Sequence, residues 1–348
     1  MNTLEVDREP GTDFQGVSVA ILPFPALGDI TIYLRLAWVM RAAGANVKFF
    51  SDAFYSAREY FPWLDFRSEG EALSAVAARF DLVIASFEKY CDQKVEAELT
   101  NKGGLLNVAF VTAKKIPSGS AVRGREVLIH GRRFVGASRA FCGDSDAGLT
   151  MVDWVNAYAK NVFGIEAEAE GELIRKPEGG RSGPFVLIFP TTPQRKKNYW
   201  MAGFKLLARA IRKKGWHVEF VVMPSERPKL EAALSGFKVN SFADIKGLID
   251  YVATASTVIS NDSGGGHLAS LMGLRTFTIT RRRKHFTWRP GFNCQNTVLY
   301  PLFRFKVLGR YVWRPFVPVW LIVNRLGDCS GAVSGSGMSV GRKDIGRC

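Results

Sequence analysis

The chain has 348 residues, of which 47% are apolar and 23% charged, so its composition is that of a soluble globular protein rather than of a disordered chain. At this length we expect two domains, each large enough to bury its own core. The formal net charge of +15 predicts an anionic partner, which could be nucleic acid, an acidic membrane surface or a phosphorylated substrate.

The cysteines and the N-terminal segment indicate the compartment. Five cysteines are scattered along the chain without a C-x-x-C pair, which supports neither a disulfide framework nor a zinc site and favours a reducing compartment. Residues 1–15 are polar and lack the pattern of a signal peptide. No apolar run approaches the roughly 20 residues that a transmembrane helix requires. We therefore expect a cytoplasmic protein that does not cross a membrane.

Apolar runs and helical periodicity alternate through the first half of the chain. The predicted elements are strands at 17–22, 46–50, 82–86 and 107–111 and helices at 30–43 and 151–163. Region 112–150 shows no pattern that predicts an element. Gly28 and Asp29 follow the first strand at its carboxyl end, where open α/β sheets bind ligands. Asp29 could alternatively serve only as the N-cap of the following helix.

The second half repeats the alternation after a linker at 166–184, which is first acidic and then rich in Gly, Pro and Arg. Its predicted strands lie at 185–189, 217–223, 238–242, 257–260 and 276–280, and its predicted helices at 199–214, 226–234, 244–253 and 264–272. The fold class is therefore α/β, with two Rossmann-like doubly wound domains facing each other across a cleft. We place these domains at 1–170 and 184–327, followed by a Gly/Ser-rich tail at 328–348 that we expect to be disordered.

A strand, a tight turn and a glycine-rich helix make up the stretch 257–273. Unpaired amides at a helix N-terminus and the helix dipole both favour an anion, and glycines allow a ligand to approach them. Asp262 and Ser263 stand where N-cap residues belong, and His267 falls in the first turn. A plain capping role for Asp262 and a surface position for His267 are the alternative.

Polar and cationic residues also follow two other strands of this half. Thr191 and Thr192 precede the run 195–197, Arg-Lys-Lys, which suits a phosphate group. A solvated basic turn is the alternative. Glu226 follows the next strand, where a carboxylate can accept a hydrogen bond from a ribose hydroxyl.

The stretch 281–327 holds ten Lys or Arg residues, interleaved with aromatic residues, and no Asp or Glu. Such a pattern can bind nucleic acid by stacking and phosphate contacts, or hold a protein at an anionic bilayer. We favour the membrane surface, because no nucleic-acid-binding motif accompanies the charge.

These motifs together resemble glycosyltransferase family 9, the ADP-heptose-dependent heptosyltransferases of lipopolysaccharide inner-core assembly. The resemblance depends on Gly28-Asp29, on the Thr-Thr…Lys segment and on the D-[ST]-G-x-x-H element from Asp262 to His267, and it covers most of 17–295. It implies a GT-B fold, with the acceptor bound mainly by the first domain and the nucleotide sugar mainly by the second. It also implies inversion at the anomeric carbon by direct displacement, without a bound metal or another cofactor.

The resemblance implies roles for individual residues. Asp29 matches the general base, next to an acceptor-binding Gly28. Lys197 matches the cation that stabilises the leaving diphosphate. Donor-binding positions are matched by Thr191, Thr192, Lys196, Glu226, Asp262, Ser263, Gly264, Gly265 and His267. The chain departs from the family after residue 280, where Arg-Arg-Arg-Lys at 281–284 replaces the usual glycine-proline turn.

We therefore predict an inverting glycosyltransferase, peripherally associated with the cytoplasmic face of the inner membrane. Its partners would be an ADP-heptose-like donor and a phosphorylated, lipid-linked oligosaccharide. Another donor, such as a UDP-sugar, is the first alternative, and a basic nucleic-acid-binding α/β protein is the second. A nicotinamide dehydrogenase is disfavoured because no G-x-G-x-x-G follows the first strand.

Overall fold

The computed structural model describes residues 14–100, 104–166, 171–177, 183–307 and 310–327. The chain divides into two compact units between Arg175 and Lys176. The tail at 328–348, which we expected to be disordered, lies outside the described residues, as do parts of the 166–184 linker.

The N-terminal domain is a six-stranded parallel sheet with helices packed against it. Its strands are β1 (Ser18–Leu22), β2 (Asn46–Phe50), β3 (Asp65–Arg67), β4 (Leu82–Ser86), β5 (Val108–Thr112), the hairpin strands β6 (Val127–Ile129) and β7 (Arg132–Phe134), and β8 (Arg139–Ala140). Its helices are α1 (Leu27–Ala42), α2 (Asp52–Tyr55), α3 (Leu73–Ala77), α4 (Phe87–Tyr90), α5 (Gln93–Thr100) and α6 (Met151–Phe163). The strand order in the main sheet is β3-β2-β1-β4-β5-β8.

Burial explains why these segments form a sheet covered by helices. Strands β4 and β5 are buried at every residue, so their sequences are apolar up to the last residue, Ser86 or Thr112, and do not alternate. Helix α6 begins at a capping box between Thr150 and Asp153 and ends at Gly164, which adopts the left-handed conformation with φ of 73°. Its predicted bounds are confirmed.

The C-terminal domain repeats this architecture. Its strands are β9 (Phe185–Phe189), β10 (His217–Val221), β11 (Val239–Asn240), β12 (Thr257–Asn261), β13 (Arg275–Ile279), β14 (Asn296–Leu299) and the hairpin strands β15 (Phe305–Val307) and β16 (Arg310–Val312). Its helices are α7 (Met201–Lys213), α8 (Arg227–Ala233), α9 (Ile245–Ala253), α10 (Gly264–Leu271) and α11 (Trp320–Leu326). The parallel sheet has the order β11-β10-β9-β12-β13-β14.

Both sheets therefore have the 3-2-1-4-5-6 order of a dinucleotide-binding fold, which confirms the prediction of two Rossmann-like domains. In this order the chain reverses direction across the sheet between the first and fourth strands. The crevice outside the carboxyl ends of those two strands is where open α/β sheets bind ligands. The switch points here are β1/β4 in the first domain and β9/β12 in the second.

Three local expectations are corrected by the structure. Helix α1 begins at Leu27, so Gly28 and Asp29 lie inside its first turn and Ala26 is the N-cap residue. Strand β3 was missed because only one of its three residues is buried. Strand β14 was missed because it lies in the basic stretch that we assigned to a membrane surface.

Part of that basic stretch, 281–327, belongs to the core of the C-terminal domain. Trp313, Val317, Ile322 and Leu326 are buried in the same cluster as the apolar face of α7. The segment after β14 therefore completes the fold in addition to any surface role. Every helix in the described ranges is too short or too polar to span a bilayer.

Candidate active site

A cationic pocket lies at the switch point of the C-terminal sheet. It is lined by Gln194, Lys196, Lys197, Asp262, Thr280, Arg281 and Arg282. These residues come from the segments that follow β9, β12 and β13, three neighbouring strands whose carboxyl ends meet at one edge of the sheet. Four of the seven side chains are cations and one is a carboxylate, so the pocket suits a ligand that carries more than one negative charge.

Lys197 and Asp262 form an ion pair in this pocket. The Lys197 Nζ lies 3.1 Å from the Asp262 Oδ2, and the Asp262 side chain is 7% exposed. The sequence predicted Lys197 on one segment and Asp262 on another, and the fold brings them together. Asp262 therefore pairs with the lysine, whereas Ser263 and not Asp262 occupies the N-cap position of α10. Lys196 lines the same pocket and is exposed, so both candidate lysines lie at the site.

His267 is a buried, neutral imidazole that feels the charges of both Asp262 and Lys197. Burial lowers the pKa of His267 to about 4, although the charge of Asp262 and a hydrogen bond with the Trp288 backbone oppose the shift. The Trp288 ring packs edge-on to the imidazole with ring centroids 5.8 Å apart. The alternative of a surface histidine is therefore wrong, since His267 is 3% exposed.

Two polar atoms at the start of α10 are buried without a hydrogen-bond partner among the described residues. They are the His267 Nδ1 and the Ser263 Oγ. Ser263 occupies the N-cap position, but its side chain makes no capping hydrogen bond. Buried polar atoms are almost always paired, so each of these two has hydrogen-bonding capacity left for a water molecule or a ligand.

The glycines of α10 differ in their surroundings. A Cβ at Gly265 would lie 2.5 Å from the Phe189 ring, and one at Gly266 would lie 2.5 Å from the Ser260 Oγ. Their lack of a side chain therefore lets the helix pack closely on β9 and β12. Gly264 is the first helical residue and is half-buried. A donor-binding role for Gly264 and Gly265 stays a prediction that concerns their backbone amides.

Thr191 and Glu226 make contact at the same edge, where β9 and β10 end. The Thr191 hydroxyl donates to the Glu226 Oε2 at 2.7 Å, and the Met223 backbone amide donates weakly to the same oxygen at 3.4 Å. Glu226 ends a 3-10 turn (Pro224–Glu226) directly before α8. The carboxylate thus stands at the carboxyl edge of the sheet with further acceptor capacity.

Thr192 makes hydrogen bonds within its own loop, which runs from Thr191 to Trp200 and which we call the lysine loop. Its backbone amide and hydroxyl both donate to the Asn198 Oδ1, at 2.9 and 2.8 Å. These hydrogen bonds close the loop that carries Lys196 and Lys197, and Thr192 is buried. Thr192 therefore shapes the lysine loop, and its predicted contact with a donor remains untested.

Three further residues that the sequence analysis did not select hold this loop. Asn261, fully buried at the end of β12, accepts from the Tyr199 amide at 2.9 Å and donates to the Pro190 carbonyl at 2.7 Å. The Arg314 Nε donates to the Asn198 carbonyl at 2.6 Å. Arg314 and Asn198 are far apart in sequence, and no local pattern signals their contact.

Arg281 and Arg282 were also not selected, although the replacement of a glycine-proline turn by arginines was visible in the sequence. Both line the pocket directly after β13. The Arg281 guanidinium lies 6.0 Å from the centre of the Tyr311 ring, and the Arg282 guanidinium 5.9 Å from that of Phe286. Neither arginine has an acidic partner within the described part of the chain.

The switch point of the N-terminal sheet presents carboxylates and hydroxyls. Asp29, half-buried, lies in the first turn of α1 after β1, and Glu88 follows β4. The Glu88 carboxylate accepts hydrogen bonds from Ser86 and from Thr112. Burial raises the pKa of Tyr33 well above its usual value, and the charges of Glu88 and Asp29 add to this shift. The fold thus gathers Asp29, Glu88 and Tyr33 in one place.

Gly28 positions the turn that contains Asp29. Its carbonyl accepts a hydrogen bond from the Thr31 hydroxyl at 2.7 Å. The sequence analysis singled out Gly28 and Asp29, but it missed Glu88 because this residue belongs to a short helix with no motif. The roles of Asp29 as a base and of Gly28 in acceptor binding stay predictions.

The described residues contain no group of three or more His, Cys, Asp or Glu side chains that could hold a metal ion.

Comparison with solved structures shows the fold. A glycosyl transferase of family 9 from Veillonella parvula matches with a TM-score of 0.65 and 12% identity, over 93% of this chain and 97% of that one. E. coli ADP-heptose lps heptosyltransferase II matches with a TM-score of 0.60 and 14% identity, over 89% and 97%. E. coli heptosyltransferase WaaC with ADP matches with a TM-score of 0.54 and 13% identity, over 81% and 92%. With the two Rossmann-like sheets, these matches establish the GT-B fold class.

Comparison with curated proteins gives no match. The sequence does match the family model of Glycosyltransferase family 9 (heptosyltransferase) over residues 149–301. That segment contains the lysine loop, Glu226 and the turn from Asp262 to His267. The chain is therefore a glycosyltransferase whose residues 149–301 are similar to glycosyltransferase family 9.

Proposed function

We propose that the protein transfers a heptose from an ADP-heptose donor to a phosphorylated, lipid-linked acceptor of the lipopolysaccharide inner core. Inversion at the anomeric carbon and independence from metals are part of the proposal. The observation that carries it is the pocket at the β9/β12 switch point, in which Lys196, Lys197, Arg281 and Arg282 surround one carboxylate. The E. coli relative WaaC, whose structure holds ADP, supports the choice of nucleotide.

The cations suit a departing diphosphate. As the bond between the anomeric carbon and the diphosphate oxygen breaks, negative charge accumulates on that oxygen. Lys197 is already oriented by Asp262, so its ammonium group can stabilise this charge without first being ordered. Arg281 and Arg282 supply planar guanidinium groups, which bind phosphate through paired hydrogen bonds. With this charge available from the protein, the proposed reaction uses no bound metal.

Asp29 acts as the general base in the proposal. It takes the proton from the acceptor hydroxyl while that oxygen forms a bond to the anomeric carbon, and ADP leaves with the electron pair of the broken bond. The configuration inverts because attack and departure occur on opposite faces of the sugar. Atoms and charge balance in this single step.

In the proposal, the remaining polar groups bind the ribose, the phosphates and the sugar of the donor. The Glu226 carboxylate accepts from the ribose hydroxyls, and Thr191 holds it in position. The neutral His267 and the Ser263 hydroxyl have unpaired polar atoms that can bond to the phosphate or sugar oxygens. Ser263, Gly264 and Gly265 also provide the backbone amides of the first turn of α10, which favour an anion.

A thermal-shift panel of ADP, UDP, GDP and CMP tests the donor. We expect ADP at about 100 times its dissociation constant to raise the melting temperature by about 5 °C or more, with smaller shifts for the others. The same protein should release ADP from ADP-heptose in the presence of a lipid-linked core acceptor, and EDTA should leave the rate unchanged. A larger shift with UDP would replace ADP-heptose by a UDP-sugar, which is the alternative donor. No shift with any nucleotide would contradict the proposal.

A further inference from the structure

The strands β15 and β16 form an antiparallel hairpin that carries exposed apolar side chains. Leu302, Phe303 and Phe305 are 60%, 69% and 48% exposed. The Phe316 ring lies 6.3 Å from that of Phe303 and 5.7 Å from that of Phe305, and the Leu302 amide donates to the Phe316 carbonyl at 3.0 Å. We call Leu302, Phe303, Phe305 and Phe316 the hairpin patch. These side chains form a contiguous apolar surface and not a set of scattered residues. Such exposed apolar surfaces usually mark a binding site.

Cations flank the residues of the hairpin patch in the sequence. Arg304 and Lys306 alternate with its phenylalanines, and Arg314 lies two residues before Phe316. The whole stretch 281–327 contains no acidic residue. A partner must therefore offer both an apolar phase and negative charge.

This charge distribution decides between the possible occupants. A second copy of the chain would bring the same cations against themselves, which disfavours self-association through the patch. Nucleic acid would need ring faces free for stacking, whereas Phe303 and Phe305 pack against Phe316 and Leu302 is aliphatic. An anionic bilayer offers a hydrocarbon phase beneath negative headgroups.

We propose that the hairpin patch inserts into an anionic lipid bilayer, with Arg304 and Lys306 at the level of the headgroups. The inference deepens the proposed function, because it says which surface meets the membrane that holds the acceptor. Its evidence, however, is independent of the donor pocket.

The hairpin also connects the membrane with the donor pocket. On its other face, the Lys306 Nζ lies 5.0 Å from the centre of the Tyr311 ring, and the Arg281 guanidinium lies 6.0 Å from the same ring. Arg281 lines the donor pocket. A hairpin at the headgroups thus keeps the pocket close to the bilayer surface, where a lipid-linked acceptor is presented.

Flotation of the full chain with vesicles tests the insertion. We expect binding to vesicles of phosphatidylcholine with about 30% phosphatidylglycerol, little binding to phosphatidylcholine alone, and weaker binding at high salt. The double variant Phe303→Ser/Phe305→Ser should bind at least ten-fold more weakly. Leu206→Ser removes an equally exposed residue, 63% exposed on α7, and should bind like the wild type.

A charge variant and a fluorescent probe complete the test. Arg304→Gln/Lys306→Gln should weaken binding to anionic vesicles several-fold, whereas Lys229→Gln, a change at an exposed lysine on α8, should not. The chain has eight tryptophans, so the emission that Phe303→Trp adds to the wild-type spectrum is obtained by difference, and it should shift to shorter wavelength when anionic vesicles are added. Circular dichroism of each variant checks that it is folded.

Several outcomes would overturn the insertion: wild-type binding by the Phe303→Ser/Phe305→Ser variant, an unshifted emission, or no binding of the wild type to anionic vesicles. If the wild type forms a dimer in solution and the Phe303→Ser/Phe305→Ser variant does not, the patch binds a second copy of the chain instead. Oligonucleotide binding that it abolishes, without vesicle binding, would assign the patch to nucleic acid. ADP binding separates the two proposals, because the variant should bind ADP normally. Patch-dependent vesicle binding by a protein that binds no nucleotide would uphold the insertion and contradict the proposed function.

Discussion

The two domains share one strand order and present opposite chemistry at corresponding positions. At the β1/β4 switch point the chain provides carboxylates and hydroxyls, with Asp29 and Glu88 near Tyr33. At the β9/β12 switch point it provides Lys196, Lys197, Arg281 and Arg282 around Asp262. The fold thus fixes where a ligand binds, while the side chains that follow each strand decide which charge it carries. A carboxylate edge suits removal of a proton, and a cationic edge suits a diphosphate.

The two sites are also built differently. Asp29 belongs to α1, which is buried along most of its length, so its position is fixed by the helix itself. Lys197 ends a 3-10 turn (Arg195–Lys197) in the loop before α7. The position of this loop depends on hydrogen bonds that Asn198 and Asn261 accept, on one that Arg314 donates, and on the ion pair between Lys197 and Asp262. Substitutions should therefore affect chemistry in the first domain and both binding and stability in the second.

The largest effect is expected for the base. Asp29→Asn should lower kcat at least 100-fold, because an amide cannot accept the acceptor's proton, while the dissociation constant for ADP changes by no more than a few-fold. Steady-state kinetics and calorimetric titration measure the two quantities. Glu88→Gln is the matched control at the same sheet edge, and we expect it to keep kcat within about ten-fold. Equal losses in both variants would leave the base unassigned between the two carboxylates.

Substitutions in the cationic pocket should weaken donor binding. Removing one charged partner of a phosphate costs about 1.5–3 kcal/mol, so Lys197→Ala and Arg281→Ala should each weaken ADP binding about 10- to 100-fold. Arg283→Ala is the control, since Arg283 is exposed and does not line the pocket. If Lys196→Ala weakens ADP binding more than Lys197→Ala does, Lys196 and not Lys197 binds the diphosphate.

Removing a residue that holds the lysine loop should lower the stability of the protein. Asn261 is fully buried, and its side chain makes two hydrogen bonds with the backbone. Asn261→Ala should lower the free energy of unfolding by about 1–3 kcal/mol, because both backbone groups lose their buried partners. Urea denaturation measures this loss. An unchanged stability together with unchanged ADP binding would contradict the assigned scaffold.

A smaller effect should appear as a pH dependence of stability. The pKa of His267 is about 4 in the folded protein, below its ordinary value of 6.5, so the unfolded chain binds a proton first as the pH falls. The contribution is fully present above about pH 6.5 and is lost between about pH 6.5 and 4, with about 1 kcal/mol lost by pH 5.5. His267→Asn should reduce this dependence, whereas His285→Asn, at an exposed position, should not. The same slope in both variants would show that other groups cause it.

Most of the fold could be predicted from the sequence, because buried parallel strands and amphipathic helices have local patterns. Strand Phe185–Phe189 is apolar at every position, and helix Met151–Phe163 has both its cap and its terminal glycine in the sequence. Strand β3 could not be predicted, since it contains one buried residue between two charged ones. The sequence around the aromatic residues after β14 does not distinguish core from surface: Trp313 is buried and Phe303 is exposed, yet each directly precedes an arginine.

By itself, the sequence determined the alternation of strands and helices, the excess of positive charge, and the motifs at Gly28-Asp29 and from Asp262 to His267. These features depend on the identity and spacing of neighbouring residues. Only the tertiary structure decided that Asp262 pairs with Lys197, that Arg281 joins them, and that His267 is buried as a neutral ring. The reason is that a parallel sheet brings the carboxyl ends of distant strands to one edge, so the contacts that define the pocket join residues with no local relation in the chain.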